Sequence, residues 1–328
     1  RVLRRAPGDE LRRGPSAVNA LLAVNKPLGM SSHDVVNRVR RAVGERRVGH
    51  AGTLDPAASG VLVVGIGQAT KLLGMLTLDH KSYRARIEFG SQTDTDDAEG
   101  EVIKTADVPA ELCDPAFAEA TLAALVGEHD QVPPAYSAVS VGGKRAYAIA
   151  RAGDEVELSS RRITINEASL VRVEGGNVSR PLVWEADFDV SKGTYIRSIA
   201  RDLGLSLQTC AHLCGLVRTS AGALTLADCV ELDELAERGA ELVTERMLDP
   251  VAVLGLPARS VDIAEIVDIS CGRRIPMGVV TTAEGSREPK PCEKVALVWD
   301  GALAGIWERR GTDLVCSVNF PQAIEGVR

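Results

Sequence analysis

Residues 49–64 read GHAGTLDPAASGVLVV, a glycine-rich segment that leads into four apolar residues. This pattern predicts a turn that presents one carboxylate, Asp55, shortly before a buried strand. Because the side chains around Asp55 are small, a large planar molecule could approach the backbone closely there. The alternative is a structural turn in which Asp55 and Pro56 only shape the backbone, since short Asp-Pro motifs often do no more than that.

The composition is that of a globular protein with a large and a small domain. The chain has 328 residues, of which 45% are hydrophobic and 25% are charged, and this length exceeds that of an ordinary single-core domain. No apolar run approaches the roughly 20 residues that a membrane span needs, so no membrane association is expected. Seven cysteines, an odd number scattered along the chain, indicate reduced thiols and a cytoplasmic location.

The charge is unevenly distributed along the chain. The net charge is −7, yet residues 1–50 hold eleven Lys and Arg against four Asp and Glu, whereas residues 228–328 hold eleven against eighteen. A basic face on an acidic protein is compatible with phosphate contacts, although exposed charge is also common on ordinary surfaces. Residues 1–18 are expected to form a disordered basic arm, because they are rich in arginine and lead into no apolar signal core.

The elements before the central segment follow clear signals. Residues 21–24 predict a short strand, and Ser31 or Ser32 is expected to cap a helix that ends at Gly44. The buried face of this helix carries Val35, Val39 and Val43, and its other face carries Arg38, Arg40 and Arg41. Lys26 precedes this helix and could either reach a phosphate or be an ordinary exposed lysine.

After the central segment, strands and helices alternate. Strands are predicted at 61–66, 83–89, 136–141, 182–190 and 213–219, and helices at 68–78, from 114 to the glycine at 127, and at 194–203. The pattern predicts an α+β fold with a mixed, largely antiparallel sheet and flanking helices. From about residue 249, short strands with an Asp300-Gly301 turn predict a small all-β module.

Two polar clusters invite a metal-binding interpretation that the spacing does not favour. The acidic residues at 94–99 lack the glycine and the distant glutamate of a calcium loop, so a solvated acidic turn is predicted. Cys210, His212 and Cys214 have no second pair at zinc-ligand spacing, so structural thiols are predicted.

Five segments, in order, resemble the bacterial TruB-type tRNA pseudouridine synthases. These are residues 25–32 (NKPLGMSS), 49–60, 81–84 (KSYR) with 93–96 (TDTD), 132–138 (VPPAYSA) and 191–197 (SKGTYIR). The resemblance implies a pseudouridine synthase fold over residues 19–248, in which residues 131–157 are a tRNA-gripping insertion. It also implies a β-rich, PUA-like RNA-binding domain over residues 249–328. Asn25 and residues 57–59 depart from the common pattern, which affects loop packing and RNA contact rather than a catalytic group.

The resemblance also implies the reaction and its residues. The family converts the T-loop uridine of tRNA (position 55) to pseudouridine by base flipping, and the catalytic aspartate matches Asp55. Arg197 would pair with Asp55, and Tyr83 would stack on the target base. The matches for substrate binding are His50, which would fill the space the base leaves, Tyr195 and Leu216 in the uracil pocket, and Lys26. Without the family, each of these would be interpreted as an ordinary loop, core or surface residue.

The rearrangement conserves atoms and oxidation level, so the chemistry requires neither a cofactor nor a metal. A carboxylate can act in it as a covalent nucleophile, and whether Asp55 attacks C1′ or C6 or assists elimination stays open. The expected partner is the T-arm of tRNA, and a monomer without an obligate protein partner is expected. The alternatives are a non-catalytic RNA-binding protein or tRNA-folding chaperone, and an N-glycosidase that releases free uracil.

Overall fold

The computed structural model describes residues 18–76, 80–154, 156–176 and 180–328. The predicted basic arm falls almost wholly outside these residues. The α-helices are α1 Ser32–Val43, α2 Pro115–Ala123, α3 Ala146–Arg151, α4 Ile196–Ser206, α5 Leu232–Arg238, α6 Ala240–Arg246, α7 Pro250–Leu254 and α8 Ile263–Ser270. Short 3₁₀ helices span Gly67–Leu72, Ala110–Cys113 and Leu226–Asp228. No helix in these ranges combines the length and the apolar character that a membrane crossing requires.

The strands fall into two main sheets. Those of the first part are β1 Ala20–Lys26, β2 Val48–Ala51, β3 Ala58–Ile66, β4 His80–Phe89, β5 Ser91–Thr93, β6 Val102–Thr105, β7 Gly127–Gln131, β8 Ser140–Val141, β9 Lys144–Arg145, β10 Arg161–Glu174, β11 Val183–Ser191, β12 Ala211–Ala221, β13 Leu224–Thr225 and β14 Val230–Glu231. Those of the second part are β15 Ala258–Ser260, β16 Ile275–Pro276, β17 Val280–Thr282, β18 Gly285–Arg287, β19 Lys294–Trp299, β20 Ala302–Arg310 and β21 Asp313–Glu325.

The first sheet has the order β14-β1-β3-β12-β4-β11-β10-β7, with β2 beside β3 and β13 beside β12. Most neighbours are antiparallel, while β1 with β14 and β3 with β12 are parallel. Apolar side chains of α2 and α4 pack with β4, β11 and β12 in one core, and those of α1, α5 and α6 pack with β1 and β3 in another. The predicted α+β class with a mixed, largely antiparallel sheet is therefore confirmed.

The second part of the chain forms a seven-stranded sheet in the order β16-β21-β20-β19-β15-β17-β18. This part is therefore β-rich, as expected. The expectation of an all-β module was wrong, because residues 249–328 also contain the short helix α7 and the eight-residue helix α8, which begins at Ile263. Asp262 caps this helix by accepting hydrogen bonds from the N–H groups of Ala264 and Glu265, a polar signal that the alternation of apolar residues concealed.

The pairing of β3 with β12 requires glycine at position 60. Gly60 has a φ of +109°, and a Cβ placed there would lie 2.2 Å from the backbone oxygen of Arg218. The strand after the central turn can therefore approach β12 only because residue 60 has no side chain.

Replacing Gly60 with alanine is expected to lower the free energy of unfolding by at least about 3 kcal/mol, since both backbone strain and a backbone clash result. Gly285→Ala is the matched control, because Gly285 has a similar φ of +120° but open space around its Cβ. It should cost only about 1 kcal/mol of strain. Urea unfolding of both variants measures the difference, and equal losses would contradict the clash.

Candidate active site

A cavity of about 610 Å³ opens where the central turn, β4, β12 and the start of α4 meet. Five of the residues singled out from the sequence line it: Asp55, Tyr83, Tyr195, Arg197 and Leu216. Its volume lies in the range of ordinary small-molecule pockets, so it can receive a nucleotide base with part of its sugar. The structure thus brings residues from four separate segments of the chain around one space.

Asp55 and Arg197 form an ion pair in this cavity. Arg197 Nη2 lies 2.9 Å from Asp55 Oδ2, and the side chain of Arg197 is 6% exposed whereas that of Asp55 is 42% exposed. The guanidinium also donates to the carbonyl oxygens of Thr95 and Tyr136, each at 3.0 Å. The arginine is therefore fixed from behind, and the carboxylate keeps one side open to the cavity.

The turn that carries Asp55 is held at three places. The Ser32 hydroxyl accepts from the N–H of Leu54 and donates to its carbonyl oxygen, at 2.8 and 2.9 Å. The N–H of Gly29 donates to the carbonyl oxygen of Pro56 at 2.9 Å. Ser32 is the first residue of α1, so this helix, capped by Ser31 and ended at Gly44 as predicted, positions the turn.

Arg218, which was not recognised from the sequence, makes the third set of contacts that hold the turn of Asp55. Its side chain is buried in β12, and its guanidinium donates to the carbonyl oxygens of Val61 at 2.7 Å and Gly52 at 3.0 Å. It thereby joins the turn before Asp55 to the strand after it. The available signal was an arginine within an apolar strand pattern, which is unusual unless the charge has a specific partner.

The prediction of a solvated acidic turn at 94–99 was wrong for two of its residues. Asp96 and Asp97 are each 6% exposed, and they face α4 instead of solvent. Asp97 Oδ2 lies 3.6 Å from Arg197 Nη1, so the arginine is shared between Asp97 and Asp55. The sequence could not reveal this, because the arginines of α4 lie about a hundred residues further along the chain.

The walls of the cavity are partly apolar. Tyr83 is 8% exposed and lies on β4 opposite Arg218, while Leu216 on β12 packs against the apolar core. Tyr195 caps α4, and the side-chain amide of Gln131 bonds both its N–H and its carbonyl oxygen, at 2.9 and 3.1 Å. The Arg161 guanidinium lies 5.5 Å from the centre of the Tyr195 ring. The rings of Tyr83 and Tyr195 and the side chain of Leu216 therefore form part of the cavity wall around the carboxylate.

His50 lies in β2 and does not line this cavity. It lines a neighbouring cavity of about 480 Å³, and Lys81 borders both spaces. Burial lowers the pKa of His50, and the charges of Arg218 and His33 lower it further, which favours the neutral ring. The structure therefore places His50 beside the Asp55 cavity rather than within it.

Lys26 is not exposed to an RNA backbone. The residue is completely buried, and Nζ donates to the carbonyl oxygens of Pro27 at 2.9 Å and Met30. Its place as a phosphate contact is therefore not supported by the geometry. Instead it shapes the loop whose Gly29 holds Pro56.

Lys26 makes the stability of the fold change with pH in the alkaline range. Burial lowers the pKa of its ammonium group from 10.5 to about 8, against the opposing charge of Asp55. Between these two values the unfolded chain binds more protons than the folded chain, so stability from this group rises with pH. We expect the free energy of unfolding of the wild type, relative to Lys26→Met, to increase from pH 7.5 to 9.5. Urea unfolding at both pH values measures this, and a constant difference would contradict it.

Within the part of the chain that the structure describes, no three His, Cys, Asp or Glu side chains are grouped as metal ligands. Cys210 is buried, and Nδ1 of His212 lies 3.1 Å from the carbonyl oxygen of Ser91. Cys210 directly precedes β12, and His212 lies within this strand.

Sequence comparison connects this geometry to known proteins. A family model described as TruB family pseudouridylate synthase (N terminal domain) matches residues 40–196, which include Asp55 and Tyr83. A protein of Mycobacteroides abscessus named tRNA pseudouridine synthase B is 45% identical over 269 residues, covering 82% of this chain and 88% of the relative. The chain belongs to the TruB family. Another member, from Thermobifida fusca and of the same name, is 47% identical over 260 residues, covering 78% of this chain and 86% of the relative.

Solved structures with the same fold match almost the whole length of this TruB-family chain. A crystal structure of the archaeal box H/ACA sRNP Nop10-Cbf5 complex contains a chain with a TM-score of 0.65 and 20% identity, covering 96% of this chain and 90% of that one. A Cbf5-Nop10-Gar1 complex gives a TM-score of 0.63 at 21% identity, covering 98% and 87%. At this level of identity the similarity shows a common fold, including the second sheet.

Proposed function

We propose that this TruB-family chain converts the T-loop uridine of tRNA to pseudouridine, with Asp55 as the reacting carboxylate. The observation that carries the proposal is the Asp55 carboxylate, held at 2.9 Å by a buried arginine and open to a cavity beside Tyr83 and Leu216. A protein that only binds RNA gains nothing from a carboxylate there, since it would repel phosphates. The names of the curated relatives support tRNA as the substrate.

The reaction balances within the nucleotide itself. The N1–C1′ bond of uridine breaks, the uracil ring turns, and a C5–C1′ bond forms. C5 then loses its proton, and N1 gains one. The protein must hold the separated base and sugar, stabilise the charge that develops, and accept the C5 proton.

Asp55 and Arg197 meet the first two requirements. The arginine orients the carboxylate and stabilises its negative charge while an incoming base displaces water from the cavity. The ionised oxygen can then attack C1′, attack C6 of the uracil, or assist elimination, and all three routes use the same geometry. The carbonyl bonds to Thr95 and Tyr136 keep Arg197 in place through the cycle.

The aromatic and apolar walls suit a base that has left the RNA stack. A target within a folded loop must be flipped out before Asp55 can reach it, which costs a few kcal/mol. Stacking of the uracil on the Tyr83 ring returns about 1–3 kcal/mol, and the Tyr83 hydroxyl is a candidate acceptor for the C5 proton. Leu216 and Tyr195 would enclose the ring. His50, which lies beside the cavity, would occupy the space that the base leaves in the RNA.

The proposed division of the chain follows the two sheets. Residues 19–248 would form the catalytic domain, residues 131–157 a segment that grips the T-arm, and residues 249–328 a PUA-like domain that binds RNA. We further propose that the chain acts as a monomer in the cytoplasm without an obligate protein partner.

Mapping of modified uridines tests the proposal. Purified protein is incubated with unmodified tRNA transcripts without added metal or cofactor, and the modified positions are mapped chemically. We expect pseudouridine at the T-loop uridine. Tight binding without conversion would instead support the non-catalytic RNA-binding alternative, and release of free uracil would support an N-glycosidase.

A further inference from the structure

Two adjacent carboxylates meet two arginines that lie one helical turn apart. Asp97 faces Arg197, and Asp96 Oδ2 lies 2.8 Å from Nη1 of Arg201, which follows Arg197 by four residues on α4. The side chains of Asp96 and Asp97 are each 8% exposed, and that of Arg201 is 16% exposed. Each carboxylate therefore has its own arginine, and both pairs are largely removed from water.

This cluster holds more negative than positive charge. Asp55 and Asp97 pair with Arg197, and Asp96 and Asp202 pair with Arg201, while Lys26 also acts electrostatically on Asp55. Burial raises the pKa of the Asp96 carboxyl, and the charges of Arg201 and then Arg197 oppose that rise. Asp96 is thus close enough to Arg197 to interact with it electrostatically, and any carboxylate that attracts Arg197 competes with Asp55.

We propose that Arg201 is a positioning residue: by neutralising Asp96 it leaves Arg197 available to Asp55. The inference rests on the proposed function and adds a residue that never touches the substrate. Without Arg201, Asp96 would lose its 2.8 Å partner in a nearly dry site, and Arg197 is the other guanidinium group whose charge acts on it. Movement of the guanidinium toward Asp96 would weaken its 2.9 Å contact with Asp55.

The backbone around Asp96 favours this arrangement. Asp96 has a φ of +60°, a left-handed conformation that few residues other than glycine, asparagine and aspartate adopt. Its carbonyl oxygen accepts from the N–H of Leu213, which fixes the turn on β12. The backbone of Asp96 is therefore fixed, and its carboxylate can move only by rotation of the side chain.

A purely structural function for Arg201 is the competing explanation. Its Nη2 donates to the carbonyl oxygen of Val132 at 2.9 Å, so it also ties a second loop to α4. The Ser198 hydroxyl donates to the same oxygen at 2.9 Å, however, and this bond remains when Arg201 is replaced. The two explanations predict different results when Arg201 and Asp96 are both replaced, because removing the charge of Asp96 leaves Arg197 to Asp55 but does not restore the bond to Val132.

The experiment compares Arg201→Met, Asp96→Asn and the double variant. Asparagine keeps the left-handed backbone and removes the charge. Single-turnover formation of pseudouridine in a tRNA transcript gives the rate, and filter binding gives the Kd. We expect Arg201→Met to slow the reaction by about 10- to 100-fold with Kd within about twofold, Asp96→Asn to stay within about threefold of wild type, and the double variant to recover to within about threefold.

Three outcomes would overturn the proposal. These are an Arg201→Met rate equal to wild type, an Asp96→Asn rate as low as that of Arg201→Met, and a double variant no faster than Arg201→Met. If Arg201→Met does not fold, Arg201→Lys decides the question, since it keeps the charge and should retain a rate within about threefold of wild type. A rate as low as that expected for Arg201→Met would refute the charge argument.

Two controls separate this inference from the function on which it rests. Arg162→Met removes an exposed arginine that pairs with Glu128 and Asp130, and it should leave rate and Kd unchanged. The wild-type protein reports on the function itself. If it forms no pseudouridine, the proposed function fails; if it does and the variants disagree with the pattern above, only the role of Arg201 fails.

Discussion

Replacing Asp55 with asparagine is expected to abolish isomerisation while tRNA binding is retained. The amide has the same shape as the carboxylate, but it cannot act as an anionic nucleophile or stabilise a cationic sugar. Arg197 keeps its bonds to Thr95 and Tyr136, so the cavity should stay intact. We expect the single-turnover rate to fall by more than about a thousandfold, which corresponds to about 4 kcal/mol of transition-state stabilisation.

Tritium release from tRNA labelled at C5 of uridine measures this rate, and filter binding measures the Kd. Asp187→Asn is a matched control, since Asp187 pairs with Arg84 at 2.8 Å and does not line the Asp55 cavity. It should react at the wild-type rate. An Asp55→Asn variant that kept more than a tenth of that rate would contradict the role of the carboxylate.

Replacing Arg197 with methionine is expected to damage both catalysis and stability. The substitution leaves Asp97, whose side chain is 8% exposed, without its nearby positive partner, and it leaves two carbonyl oxygens without a donor. Removing one member of a buried pair typically costs about 3–5 kcal/mol. The loss of orientation at Asp55 should lower the rate at least about a hundredfold.

Arg197→Lys distinguishes charge from geometry, because lysine restores a positive charge but not the planar fork that reaches several acceptors. We expect it to recover part of the stability and little of the rate. Urea unfolding and single-turnover kinetics of both variants give the two quantities. Arg162→Met, which breaks an exposed pair, should cost less than about 1 kcal/mol, and an equally small loss for Arg197→Met would refute the buried network.

Local sequence signals were sufficient for several elements. Ser31 with Asp34 forms a capping box, and Gly44 ends α1 in a left-handed conformation, so both ends of the helix were readable from short-range chemistry. The alternation from Tyr83 to Phe89 likewise identified β4, whose apolar side chains all face one core. In these elements each local preference agrees with the packing that surrounds it.

Other elements escaped prediction because tertiary structure changes the local pattern. β10 was not recognised, since irregularities between Ile165 and Glu167 and between Leu170 and Arg172 interrupt its period of two. The helix predicted at 68–78 was wrong: residues 67–72 form a 3₁₀ helix instead, and Leu78 lies outside the described residues. Gly74 interrupts the run of helix-forming residues there, which shortens the element.

Some residues of the site could likewise be predicted from the sequence, whereas others could not. The resemblance indicated Asp55, Tyr83 and Arg197, and the structure brings these three around one cavity. It could not indicate Arg218 or Asp97, because their importance comes from contacts with segments far away in the sequence. Lys26 shows the reverse case: its position beside a glycine loop suggested a phosphate contact, yet its ammonium is enclosed by carbonyl groups.

The two sheets are joined by a continuous apolar seam rather than by a flexible connection. Leu21 and Leu72 of the first part pack with Ile306, Phe320 and Ile324 of the second, and the N–H of Glu325 donates to the carbonyl oxygen of Asn19 at 3.0 Å. This packing fixes the distance between the Asp55 carboxylate and the second sheet. Removing either sheet would expose the apolar side chains of this seam to water.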